Sequence, residues 1–150
     1  RTVMTGELFA LLGRQSTLKH AIADSAEPTD LRSNAFLEGV TAVRRSPTGV
    51  IGNLFSIRAA SLLFGGGGQK PADRLSGLLI GAELAEGLAF AGSLPIRLVA
   101  GERFGQLYQA AFRQFDCDIA IVDADQLVLD GLRHAAGRIW PGGFGINAGA

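Results

Sequence analysis

Residues 96–122 read Ile96-Arg97-Leu98-Val99-Ala100-Gly101-Glu102-Arg103-Phe104-Gly105-Gln106-Leu107-Tyr108-Gln109-Ala110-Ala111-Phe112-Arg113-Gln114-Phe115-Asp116-Cys117-Asp118-Ile119-Ala120-Ile121-Val122. A short apolar run at each end encloses a helical pattern. Ile96 to Val99 is a strand, Gly101 ends it, and Phe104, Leu107, Tyr108, Ala111, Phe112 and Phe115 repeat at helical spacing. Ile119 to Val122 is a second strand. Val128, Leu132, Ala135, Ala136 and Ile139 mark a last helix, with Asp123 or Asp125 at its start. Strand, helix, strand, helix predicts an α/β fold with a parallel βαβ unit and a right-handed crossover.

Upstream of this unit the chain reads as helix-rich. Asp73 is placed to cap a helix over Arg74 to Phe90. Leu75, Leu78, Leu79, Ile80, Ala82, Leu84 and Ala85 nearly encircle that helix, so it is expected between layers. Gly77, Gly81 and Ala85 form a row of small residues. Glycine inside a helix costs about 1 kcal/mol against alanine, and close approach of another backbone would offset it. Gly131 carries the same cost. Ile51, Leu54, Phe55, Arg58 and Leu62 share one helical face, closed by the glycine run and Pro71. Phe36, Val40 and Val43 share a face of a helix over Asn34 to Arg44, which Ser46-Pro47-Thr48-Gly49 breaks. Ala23 to Ser33 reads as a polar loop. Gly6 to Ile22 reads as one helix with Leu8, Leu11 and Leu12 as its stripe, preceded by a strand at Thr2 to Thr5.

The totals exclude several classes. The 150 residues predict one domain. At 47% hydrophobic and 19% charged residues, the chain can bury a core. Its 14 Lys+Arg balance 14 Asp+Glu, whereas a nucleic-acid binder needs a basic surplus to displace counterions. An anionic membrane surface is excluded on the same ground. Glu83, Glu86 and Arg97 interrupt the longest apolar stretch, Leu75 to Val99, which rules out a transmembrane helix there. A lone Cys117 makes no internal disulfide and reads as a packed thiol. His20 and His134 stand far apart, and no Cys/His spacing suits a metal. The chain is expected to begin inside a fold, without a signal peptide at its start.

Two strand-to-helix turns are candidate sites. Val99-Ala100-Gly101-Glu102 places unpaired N–H groups at the carboxyl edge of a strand, where polar ligands bind open α/β sheets. Gly101 either admits a ligand close to the backbone or only makes the turn. Met4-Thr5-Gly6-Glu7 has the same form, and capping by Thr5 with Glu7 in the first turn explains it on local chemistry. Gly65-Gly66-Gly67-Gly68-Gln69-Lys70 lacks the lysine and hydroxyl spacing of a phosphate loop and reads as a flexible loop. Arg58 either snorkels from an apolar face or presents a guanidinium to a cleft. Glu83 and Glu86 read as the point where a buried helix meets solvent. The aspartates at 116, 118, 123 and 125 read as helix caps.

Arg1-Thr2-Val3-Met4-Thr5-Gly6-Glu7-Leu8-Phe9, Phe36 to Val40, Leu54 to Ala59, Leu75 to Leu84, and Leu98 to Gly101 followed by Tyr108, Ala111 and Phe112 resemble, in this order, the carboxyl-terminal half of the 2-dehydro-3-deoxygalactonokinase family. The likeness covers roughly the first 135 residues. It implies an actin-like ATPase, ribonuclease-H-like domain. Residues 1–140 would form the carboxyl-terminal, nucleotide-binding domain of a two-domain sugar kinase, with 141–150 a flexible tail and the amino-terminal domain absent. The implied reaction transfers the γ-phosphate of ATP, with Mg2+, to the 6-hydroxyl of 2-dehydro-3-deoxy-D-galactonate in the cytoplasm. The resemblance assigns Ala100 and Gly101, with Phe104, to adenine or ribose, and Thr5, Gly6 and Glu7 to the nucleotide-side cleft wall. Arg58 stays a candidate for substrate or phosphate. Glu102 stands where the family would carry a small or hydroxylic residue. The family's phosphate loops and catalytic acid are expected before Arg1, so no catalytic residue is assigned and the 150 residues alone are expected to be inactive. Alternatives are another actin-like sugar-acid kinase and a non-catalytic α/β interaction domain. Homo-oligomerisation is left open.

Overall fold

The structure is a computed structural model that describes residues 3–22, 33–65 and 69–140. Its elements run α1 (Thr5–Gln15), α2 (Lys19–Ile22), α3 (Asn34–Arg45), a 3-10 turn (Pro47–Gly49), α4 (Val50–Phe64), α5 (Gln69–Ala91), β1 (Arg97–Ala100), α6 (Glu102–Arg113), β2 (Ala120–Asp123) and α7 (Ala124–Ile139). β1 and β2 pair in parallel, with Arg97 opposite Ala120 and Ala100 opposite Asp123. The α/β class and the parallel βαβ unit expected from residues 96–122 are therefore present, each strand set one residue later.

α5 is the axis of the molecule. Its apolar residues face two clusters, as a helix apolar on all sides must. Leu75, Leu78 and Leu79 join Leu18, Ala21, Ile22, Val43 and Ile57 on one side. Ile80 and Leu84 join Phe36, Val40, Leu107, Ala111 and Phe112 on the other. α3 crosses α5 backbone to backbone. A Cβ added at Gly77 would lie 2.1 Å from the Phe36 carbonyl oxygen, and one at Gly39 would lie 2.6 Å from the Arg74 carbonyl oxygen. The small-residue row thus does what its cost required at Gly77 and, against Val40, at Gly81. Gly131 is different: a Cβ there meets nothing within 4 Å.

Several expectations need correction. α5 begins at Gln69, so Asp73 is not its cap but a buried residue inside it. Pro71 falls in the first turn, where a missing N–H costs no hydrogen bond, and so opens α5 rather than closing α4. Thr5 is helical and Val3 and Met4 are not strand, because a strand needs a ladder partner and the described sheet contains only β1 and β2. Thr2 lies outside the described residues. The helix expected over Gly6 to Ile22 is broken at Ser16, whose hydroxyl donates to the Leu12 carbonyl and accepts from the Leu18 N–H. This is the side-chain competition that makes serine a poor interior helix residue. Phe9 and Leu12 pack on the core, whereas Leu8 and Leu11 stay exposed. α4 buries Ile57 and packs Val50 and Leu54, leaving Ile51, Phe55 and Leu62 exposed. Asp123 caps α7 by accepting from the Gln126 N–H at 2.8 Å. Asp116 does not cap; it adopts a left-handed backbone and pairs with Arg44 of α3.

The expected loop at 23–33 and the glycine run at 65–68 lie mostly outside the described residues, as does the tail at 141–150. Gly65 ends α4 with φ +62°. Among the described residues no helix is long and apolar enough to cross a membrane. Cys117 is partly buried against the second cluster.

Candidate functional site

β1 delivers Ala100 and Gly101 to its carboxyl edge, and Gly101 becomes the N-cap of α6 with φ −65° and ψ 157°. The glycine offers no side-chain cap, so the first N–H groups of α6 are left to other acceptors. In front of this turn lies an open cavity of about 370 Å³ lined by Leu98, Val99, Ala100, Gly101, Phe104, Tyr108 and Glu83. Phe104 is 65% exposed at its rim, a flat apolar face with no core to fill.

Glu83 joins this cavity to the other candidate turn. It projects from α5 and also lines a second cavity, of about 210 Å³, with Val3, Met4, Thr5, Leu8, Leu79, Ala82 and Glu86. Its Oε2 accepts from the Thr5 hydroxyl at 2.5 Å and from the Tyr108 hydroxyl at 2.7 Å. Three elements distant in sequence therefore meet on one carboxylate oxygen: the first turn of α1, the middle of α5 and the second turn of α6. Thr5 does not cap α1, whose N-cap is Met4. Its hydroxyl is turned to Glu83 instead. Gly6 and Glu7 are exposed beside it, with open space around Gly6 and Glu7 in the first turn, where a carboxylate favours the helix dipole.

The structure thus gathers Thr5, Ala100, Gly101 and Phe104 around Glu83, with Gly6 and Glu7 following Thr5. It does not bring Arg58 there. Arg58 lies half-buried on α4 and lines neither cavity. Sequence reasoning took Glu83 for a solvent boundary and gave Tyr108 to the core stripe. Both are central to the site, and neither partner of Glu83 is near enough in sequence to signal the contact. Glu83 and Tyr108 do sit on faces that periodicity made apolar, and a polar atom on such a face needs a partner.

Burial of the Tyr108 phenol, then its hydrogen bond to Glu83 and the charge of that carboxylate, push its pKa well above the usual 10. The phenol therefore stays a donor through the neutral range. Tyr108 is the chain's single tyrosine, so tyrosinate absorbance in the near ultraviolet reports it alone. The folded chain is expected to show none at about pH 10, where an unfolded one is half ionised. Because the folded state holds this proton more tightly, its contribution to stability is whole below about pH 10 and is lost as pH rises beyond it. A native titration with a midpoint near 10 would mean that the phenol is neither buried nor bonded to Glu83.

Among the described residues no group of three or more His, Cys, Asp or Glu is placed to hold a metal ion. The polar groups at the site are two hydroxyls and backbone N–H groups, which donate, and one carboxylate, which accepts. Such a set suits a polar organic ligand with a flat apolar part.

Residues 1–135 match the family model described as 2-keto-3-deoxy-galactonokinase. The chain is 40% identical over 141 residues to a probable 2-dehydro-3-deoxygalactonokinase of Rhizobium meliloti (strain 1021), covering 93% of this chain and 46% of that protein. It is 36% identical over 138 residues to the 2-dehydro-3-deoxygalactonokinase of Escherichia coli (strain K12), covering 91% of this chain and 45% of that one. A crystal structure from Sinorhizobium meliloti, whose enzyme name is the same and similarly qualified, superposes with a TM-score of 0.84 at 40% identity, over 92% of this chain and 46% of its own. The chain spans about half the length of the relatives it matches. With a match over nearly all of its length and a shared fold, it belongs to the 2-keto-3-deoxy-galactonokinase family.

Proposed function

We propose that this chain is the nucleotide-binding, carboxyl-terminal half of a 2-dehydro-3-deoxygalactonokinase. Residues 1–140 form one actin-like domain in this reading, and 141–150 form a tail. The enzyme transfers the γ-phosphate of ATP to the 6-hydroxyl of 2-dehydro-3-deoxy-D-galactonate in the cytoplasm. The observation that carries the reading is the match at 40% identity over 93% of the chain to a relative bearing that enzyme name. Its geometry is compatible with the reading: a glycine turn at the carboxyl edge of β1 opens on a cavity with an aromatic rim.

In this scheme adenosine lies against Ala100 and Gly101, with Phe104 available to the base. The N–H groups opening α6 and α1 face polar ligand atoms, and Thr5, Gly6 and Glu7 border the path toward the phosphates. Mg2+ would be held mainly by the nucleotide phosphates and water, and would supply charge neutralisation there. Phosphoryl transfer is mostly positioning and charge neutralisation. This chain supplies positioning, and the carboxylate that takes the hydroxyl proton belongs to the other half of the protein.

The test is ADP release by the full-length protein across a panel of 2-dehydro-3-deoxy sugar acids. Highest kcat/KM on the galactonate derivative, with no turnover by the 150 residues alone, is the expected result. Preference for another sugar acid would move the enzyme to a neighbouring specificity. Release of ADP by the 150 residues alone would show that the catalytic groups lie within this chain.

A further inference from the structure

We propose that Glu83 is a positioning residue that fastens α1 to α6 across α5 and thereby sets the shape of the cavity in front of Gly101. The proposal rests on the nucleotide reading of that cavity and adds to it a residue that the reading itself does not assign.

Three observations carry it. Glu83 Oε2 accepts from both Thr5 and Tyr108, so one atom fixes the two helices relative to each other. Glu83 lines both the cavity at Thr5 and the cavity at Gly101. Finally, among the described residues little else holds α1 in place: it has no buried residue, and of its side chains Phe9 and Leu12 pack on the core. α6 is better anchored: it buries Gly105, Leu107, Ala111 and Phe112, and Tyr108 packs beside them. The first turn of α1 is thus a weakly packed end set against a well-packed α6, and a hydrogen bond to a charged acceptor is among the stronger ways to position it.

The role is positioning because Oε2, the oxygen that the two hydroxyls share, is held by the protein on both sides. A ligand would feel Glu83 through the placement of Thr5 and of the Tyr108 ring beside Gly101. Glutamine keeps an oxygen able to accept both hydroxyls, while alanine keeps neither bond. Thr5→Val and Tyr108→Phe each remove one donor at nearly constant shape.

The experiment measures KM for ATP, KM for the sugar acid, kcat and thermal stability in the full-length protein. Glu83→Ala is expected to raise KM for ATP about 10–100-fold, the effect of losing hydrogen bonds to a charged group, with KM for the sugar acid changed less than about twofold. Glu83→Gln is expected to recover most of the loss. Thr5→Val and Tyr108→Phe are each expected to raise KM for ATP, and neither should add to the effect of Glu83→Ala. Reduced thermal stability with KM for ATP unchanged in all four variants would make Glu83 merely structural and overturn the proposal. If Glu83→Ala does not fold, the two single-donor variants decide by the same criterion. A wild-type protein that binds no ATP would overturn the nucleotide reading itself, an outcome recognisable before any variant is made.

Discussion

Gly77→Ala is expected to destabilise the fold by at least about 3 kcal/mol, although alanine is the better helix former by about 1 kcal/mol. The added Cβ would stand 2.1 Å from the Phe36 carbonyl oxygen and 2.9 Å from its carbonyl carbon. Those atoms belong to the α3 backbone, so no side chain can swing aside. Relief requires α3 to move away from α5. That motion opens both sides of the crossing, where Phe36, Val40 and Val43 are fully buried. For a chain of this size the loss corresponds to a fall of roughly 10 °C in melting temperature. Gly131→Ala is the matched comparison. It lies in α7 with open space at its Cβ, so it is expected to stabilise by up to about 1 kcal/mol. Equal melting temperatures for Gly77→Ala and the parent would show that α3 and α5 do not meet at these glycines.

The crossing of α3 and α5 is also where the sequence was most legible. Phe36, Val40 and Val43 gave a clean helical stripe and are all buried. The small-residue row predicted a close neighbour, though it did not name α3 or its own Gly39 as the reciprocal contact. The βαβ unit was legible because strand and helix periods alternate sharply across Gly101. Legibility failed where periodicity offered more than one apolar face. α4 is apolar nearly all round, so its stripe was read through Ile51, Phe55 and Leu62, whereas the tertiary contacts bury Ile57. α7 keeps a regular stripe through Val128, Leu132 and Ile139, yet these residues are exposed. A stripe shows that a helix is amphipathic, not that a layer lies against it. The candidate site was half legible. Its glycine turn could be read from local strand-to-helix chemistry; Thr5 entered only through the family resemblance, since local chemistry made it a cap; Glu83 could not be read at all. Its meaning lies in contacts 78 and 25 residues away, and no local pattern encodes them.

Gly101→Val separates the remaining explanations for the turn, and it is expected to weaken ATP binding in the full-length protein at least about 100-fold, near 2.7 kcal/mol. Two structural reasons for a glycine fail here. The backbone at φ −65° and ψ 157° is open to any residue, and a Cβ at this position meets nothing within 4 Å. Neither strain nor packing demands the smallest side chain. Valine is a poor N-cap, and its fold cost should stay near 1 kcal/mol. Gly101→Ser restores a capping oxygen and should remove most of that fold cost while still placing atoms in the cavity mouth. The expected order of ATP affinity is therefore Gly101, then serine, then valine, while stability does not follow that order. Isothermal titration with ATP and thermal melts on the same three proteins resolve the two scales. If valine leaves ATP affinity intact, the space in front of Gly101 is not where adenosine lies, and the site must be sought along the Thr5 side of Glu83. If affinity falls only in proportion to stability, the turn serves the fold. A large loss of affinity in a protein that still melts within a few degrees of the parent leaves room for a ligand as the reason the chain carries no side chain there.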